Sequence, residues 1–263
     1  MLPCIFVNHG GGPMPLFAEN TDTIRAHLLK VGEKYKKEEN KPRAILVISA
    51  HFETKPSLQV TSNPKPSMYF DYYGFPKEAY EIRYDAPGSP ELAQKVKKLL
   101  SQNNIPCDLD SKRGFDHGVF VPLMIAFPEA NIPVVTLSLH ASFDPQLHIN
   151  IGKALKPLRE DNVLIIGSGM SFHNMRSMMS GKGRKPAGHK FNEALSDVVT
   201  NTDVIERNKR LAKWDSIPGA RDSHPREEHF LPLLVIAGAA GDDIGTVEKF
   251  LGYGSSLSGY SFP

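Results

Sequence analysis

The stretch Ala44-Ile45-Leu46-Val47-Ile48-Ser49-Ala50-His51-Phe52 decides the fold class. Pro42 precedes it, and its first five residues are apolar and mostly branched. Such a run reads as a strand buried on both faces, the kind found inside a mostly parallel sheet. It ends in Ser-Ala-His, so His51 emerges where the strand stops. In open α/β sheets the carboxyl ends of the strands form the crevice that takes ligands. A second run, Cys4-Ile5-Phe6-Val7-Asn8-His9, ends the same way and continues into Gly10-Gly11-Gly12-Pro13. Two apolar strands thus each deliver a histidine at the same end.

Outward from these runs, further strands are predicted at residues 58–61, 105–109, 132–139 (ending at His140) and 163–169. Edge strands are expected at 247–251 and 255–262. Asn20, Thr21 and Asp22 offer N-cap chemistry for a helix through Ile24, Leu28, Leu29 and Tyr35. Ser89-Pro90-Glu91 starts a helix that runs to Gln102. Helices are also expected at 121–127, with Pro122 near the start, at 144–158, through Phe191, Leu195 and Val198, at 205–214, and at the wholly apolar 230–240. A polar loop is expected at 180–188. Strands alternating with helices predict one α/β domain over 1–263, with a mostly parallel central sheet and helices on both faces.

Residues 62–90 break the pattern. Pro64, Pro66, Pro76, Pro87 and Pro90 are interleaved with Met68, Tyr69, Phe70, Tyr72, Tyr73, Phe75, Tyr80 and Tyr84. A loop this long in a compact domain reads as a lid or binding wall, or else as a satellite apolar cluster under a surface loop.

Composition narrows the function. A net charge of +2 over 263 residues, with both signs mixed, is too mild for a nucleic-acid binder. Lys34, Lys36 and Lys37 sit among Glu33, Glu38 and Glu39, as on a solvated helix end. Cys4 and Cys107 are the two cysteines and form no CxxC, so neither a disulfide framework nor a cysteine-zinc module is expected. Met1-Leu2-Pro3 leads straight into a strand without a signal-like apolar segment, and no apolar stretch reaches membrane-span length. A cytoplasmic protein with no membrane partner is the expectation.

The ten histidines carry the chemistry. His27, His148 and His189 fall in or beside predicted helices and read as structural or exposed; His140 ends a strand and is open either way. His9, His51, His117, His173 and His229 fall at strand ends, in glycine-bearing loops or at a helix entry. Neutral imidazole is the commonest protein ligand for iron, zinc and copper. Three such ligands from separate strand ends build an open site. Glu227 or Glu228 can add a carboxylate to complete a two-histidine, one-carboxylate triad. His117 also admits a purely local role, hydrogen-bonded to Asp116.

The order His9-Gly10, Ser49-Ala50-His51, Gly114-Phe115-Asp116-His117-Gly118, Ser171-Phe172-His173-Asn174 and Glu228-His229-Phe230-Leu231-Pro232-Leu233 resembles the class III extradiol ring-cleavage dioxygenases. Within them it is most similar to the DOPA 4,5-dioxygenase-like subfamily. Gly74-Phe75-Pro76, Tyr84-Asp85-Ala86-Pro87-Gly88-Ser89-Pro90 and Gly254-Ser255-Ser256-Leu257-Ser258 extend the likeness over nearly the whole chain. The resemblance implies metal ligation by His9, His51 and His229, with His173 as a further ligand when zinc is bound. It implies acid–base roles for His117 and His173, Fe(II) for activity with Zn(II) as an alternative bound metal, and a small catechol and O₂ as reactants. One departure is the first loop: where relatives read His-Gly-Ser-Pro, this chain has His9-Gly10-Gly11-Gly12-Pro13. An amino-acid catechol would need a cationic partner, for which Arg176, Arg221, Arg226 and His224 are candidates. The competing readings are a zinc-dependent hydrolase and a non-catalytic metal-pocket protein similar to the Memo proteins. The sequence leaves the oligomeric state open.

Overall fold

Eight strands make one sheet in the computed structural model, which describes residues 1–18, 23–180 and 188–263. They are β1 (Cys4–Asn8), β2 (Ala44–Thr54), β3 (Leu58–Thr61), β4 (Cys107–Asp110), β5 (Val134–His140), β6 (Val163–Gly169), β7 (Thr246–Gly252) and β8 (Ser255–Phe262). Their order is β4-β3-β5-β2-β6-β1-β8-β7. The central four, β5, β2, β6 and β1, are mutually parallel. β3 joins β5 antiparallel, and β8 joins β1 antiparallel. The mostly parallel sheet is therefore as predicted. The expectation of two terminal edge strands needs correction: β7 lies at the edge, but β8 sits between β1 and β7 and is buried along most of its length.

Alternate side chains of β2 face opposite layers, as the pleat requires. Leu46 and Ile48 join the helices Pro90–Gln102, Pro145–Leu155, His189–Val199 and Leu231–Ala240 on one face. Ile45 and Val47 join Thr23–Glu33 and His117–Ala126 on the other. Both faces are thus covered, which is why the strand read as a continuous apolar run. The predicted N-cap at Asn20, Thr21 and Asp22 and most of the predicted 180–188 loop lie outside the described residues.

Two local departures from the expected elements shape the site. The register of β2 against β5 shifts between Ile48 and Glu53, so Ser49, Ala50, His51 and Phe52 leave the regular ladder with β5. Such a bulge re-aims side chains where a strand meets a site. The helix expected at 121–127 begins earlier, at His117, and holds Pro122 in its interior. Pro122 has no N–H to give the carbonyl of Gly118, four residues back. That carbonyl instead accepts a hydrogen bond from the Ser168 hydroxyl at the end of β6.

Candidate active site

The fold gathers the five singled-out histidines at the carboxyl end of the central strands. His9 follows β1, His51 lies in the β2 bulge and His117 opens its helix. His173 follows β6, and His229 precedes the helix Leu231–Ala240. The His9 and His51 rings have centroids 4.9 Å apart, His9 and His229 5.2 Å, and His51 and His229 4.8 Å. His117 lies 3.9 Å from His51, and His173 stacks on His229 at 3.5 Å. Donor atoms fall into two tight sets, His9–His51–His117 and His173–Glu228–His229, each within 4.8 Å. His9, His117 and His229 are buried, while His51 and His173 are partly exposed.

Hydrogen-bond partners fix which ring nitrogen faces inward. The Ser168 hydroxyl spends its proton on Gly118, so its oxygen accepts from Nδ1–H of His9 at 3.0 Å. Asp71 accepts from Nδ1–H of His117 at 2.8 Å, and its other oxygen lies 3.5 Å from Nδ1 of His51. Glu228 accepts from Nδ1–H of His229 at 3.0 Å and lies 3.6 Å from Nδ1 of His173. His9, His117 and His229 are thereby left with Nε2 as the free donor atom. Nε2 of His9 and Nε2 of His51 stand 3.1 Å apart. Where both rings carry their proton on Nδ1, two lone pairs face each other at that distance, and a cation held between them would resolve the conflict.

Electrostatics agree with ligand-ready rings. Burial, reinforced by the neighbouring imidazoles His51, His117 and His173, pushes His9 well below the ordinary histidine range. Burial and His117 bring His51 down to about 3. Burial and His117 bring His173 to about 4, and burial together with His173, His51, His9 and His117 keeps His229 far below its usual value. These four are neutral at physiological pH, the form in which imidazole binds a metal. Burial alone would raise Asp71, but its hydrogen bonds from the ring and backbone of His117 outweigh it and hold the carboxyl below its ordinary value. Glu228 goes the other way, raised by burial.

The ring set was legible; most of its supports were not. Asp71 lies in the irregular 62–90 segment, flanked by Phe70 and Tyr72, with no spacing motif to mark it. Ser168 looked like part of a strand end. Glu228 was a candidate carboxylate and does join the second donor set, whereas Glu227 pairs with Arg221 at 2.8 Å. The local role for His117 is corrected: its partner is Asp71, because Asp116 is turned toward Ser49 (2.7 Å) and Arg113 (3.0 Å). Among the cations, Arg226 binds Glu53 through two bonds, and His224 is buried with Nε2 on the Ser171 carbonyl. Arg176, exposed three residues after His173, forms no ion pair among the described residues. His140 bonds Ser142 and the Pro56 carbonyl, outside the cluster. His27 and His148 are structural: His27 meets Glu248, and His148 is buried under its own helix start. No described helix is long and apolar enough to cross a membrane.

Residues 4–262 match the model of the catalytic LigB subunit of aromatic ring-opening dioxygenase. The chain is 43% identical over 206 residues to a 4,5-DOPA dioxygenase extradiol of Beta vulgaris, covering 77% of this chain and 75% of that one. It is 39% identical over 264 residues to dioxygenase tasH of Hapsidospora irregularis, covering 92% and 79%. An uncharacterized protein of Escherichia coli K12 of known crystal structure superposes with a TM-score of 0.82 at 30% identity over the full length of both chains. The family and both named relatives are dioxygenases rather than hydrolases or non-catalytic scaffolds.

Proposed function

The chain belongs to the LigB family of aromatic ring-opening dioxygenases, and from that premise we propose that it cleaves a small, DOPA-like catechol in the extradiol manner. Both atoms of O₂ enter the product, a ring-opened semialdehyde. The carrying observation is the convergence of His9, His51 and His229 with Nδ1 of each turned outward to a polar partner. These three are the proposed ligands of Fe(II), with His173 close enough to join them when Zn(II) is bound. When bound, Fe(II) supplies adjacent open positions where catecholate and O₂ meet, which removes the entropy of their encounter.

The remaining groups handle protons and substrate. His117 accepts the catechol proton: Asp71 holds its Nδ1–H and stabilises the imidazolium that forms. His173, stacked on His229 and partly open, is the proposed second acid–base group: it takes up the other catechol proton and returns it as the ring opens. Tyr72, whose ring lies 6.0 Å from His117, and Phe75 beside it form an aromatic wall for the substrate ring. This wall requires Gly12: its φ is +54°, and a Cβ there would lie 3.1 Å from the Phe75 ring. The glycine-rich first loop therefore shapes the substrate side. Arg176 is the proposed partner of a substrate carboxylate, since Arg221 and Arg226 are tied to glutamates.

The test is reconstitution with Fe(II) under anaerobic conditions, addition of DOPA, then O₂. A yellow semialdehyde with one O₂ consumed per product is the expected result. Product formation without O₂, or turnover of an ester or amide by the zinc form alone, overturns the reading.

A further inference from the structure

The 62–90 segment does more than wall the substrate. Residues 67–69 run alongside 115: Phe115 N–H donates to the Ser67 carbonyl and Tyr69 N–H to the Phe115 carbonyl, both at 2.8 Å. Met68 and Phe115 form a parallel bridge. Phe70 then packs edge-on against Phe120 at 6.0 Å, and Tyr72 lies 6.3 Å from the same ring. Between these two anchors stands Asp71. Its Oδ1 accepts from both the backbone N–H of His117 at 2.9 Å and the ring Nδ1–H at 2.8 Å.

The backbone bond is an N-cap made by a distant segment. Asp116 occupies the N-cap position of the His117 helix, yet its side chain makes no cap bond. Its carboxylate is used instead on Ser49 and Arg113, and Arg113 in turn donates to the His51 carbonyl at 2.8 Å. The orphan N–H at the helix start is therefore met from 46 residues away. Both Asp71 oxygens face histidines of the site, His117 through Oδ1 and His51 through Oδ2.

We infer that Asp71 is a positioning residue that sets the orientation and tautomer of His51 and His117 together, so that docking of the 62–90 segment completes the site. The inference rests on the proposed ring-cleavage reading for its kinetic consequences but not for its structural ones. A carboxylate behind a ligand histidine fixes the ring and makes it a stronger donor, and loss of such a partner costs 10–100-fold in metal affinity or activity. Here one carboxylate stands behind a proposed ligand and a proposed base at once.

Asp71→Asn keeps the shape and removes the charge. Competition titration with Zn(II) should show about a 10–100-fold weaker site. At saturating Fe(II), kcat should fall at least tenfold while KM stays within threefold, because the residue touches no substrate. Nitrogen-15 NMR of histidine-labelled, metal-free wild-type protein should show His117 as the Nδ1–H tautomer, and Asp71→Ala should shift it toward Nε2–H. A His117 protonated on Nε2 in the wild type, or zinc affinity and kcat within threefold of wild type in Asp71→Asn, overturns the inference. Should the wild type bind zinc yet cleave no catechol, the ring-cleavage reading fails, and the titration and NMR still decide the role of Asp71.

Discussion

The two halves of the histidine cluster use the same device built in different ways. On one side, His51 and His117 share Asp71; on the other, His173 and His229 share Glu228. Glu228 is the chain neighbour of His229, whereas Asp71 arrives from a separate segment. Their electrostatics diverge as well. Asp71 receives two hydrogen bonds from His117 and is held below its ordinary pKa. Glu228 is raised by burial and by the nearby Glu53 and Glu227, even with Arg226 3.3 Å away. A carboxylate that accepts strong bonds stays charged, whereas one that is mainly buried drifts toward its neutral form. The first half thereby has the firmer charge behind its rings, and the second the softer one.

The comparison breaks most visibly if the proposed ligands are not ligands. His51→Ala should lose bound metal outright, as read by elemental analysis of protein purified from iron-supplemented cells; full occupancy would remove His51 from the set. His173→Ala should keep its metal and lose at least about 100-fold in rate, the low end for general acid–base catalysis. Unchanged turnover would leave the second half without a proton role. Glu228→Gln sharpens the contrast: it should cost about tenfold in metal affinity, less than Asp71→Asn, because burial already disfavours the charge that the amide removes. An equal or larger loss would show that the two carboxylates do the same electrostatic work.

The smallest effect lies outside the cluster. His148 is fully buried, its Nδ1–H donates to the Asp144 carbonyl, and its Nε2 accepts the N–H of His140. Burial lowers it to about 4. Above pH 6.5 neither folded nor unfolded chain is protonated there. Below that, the unfolded chain takes a proton that the native site refuses, so stability falls with falling pH until about pH 4. The slope is about 1.4 kcal/mol per pH unit per proton. Denaturant midpoints between pH 7 and 5 should fall less steeply in His148→Gln than in wild type; parallel curves would refute this assignment.

The strands were legible because the central ones are buried on both faces and read as apolar runs; β6 was expected at 163–169 and spans Val163–Gly169. His9 was legible for the same reason, since it marks where β1 stops; His51 was expected at a strand end, but β2 runs on past it through a bulge to Thr54. The start of the His117 helix was not, because its cap comes from Asp71 and its interior proline mimics a helix entry. The place of β8 was hidden too, since pairing order leaves no mark on a strand's own residues. Asp71 and Ser168 act only through partners far along the chain, 46 and 159 residues away respectively. No local pattern announces a contact of that kind.

Pro122 carries a consequence for a ring it never touches. Restoring an amide at that position, as in Pro122→Ala, offers the Gly118 carbonyl a donor of its own helix. The Ser168 hydroxyl would then share that oxygen with a second donor, and its hydrogen would be held there less firmly. A change that ordinarily strengthens a helix would here loosen the bond that turns the Ser168 oxygen toward Nδ1 of His9.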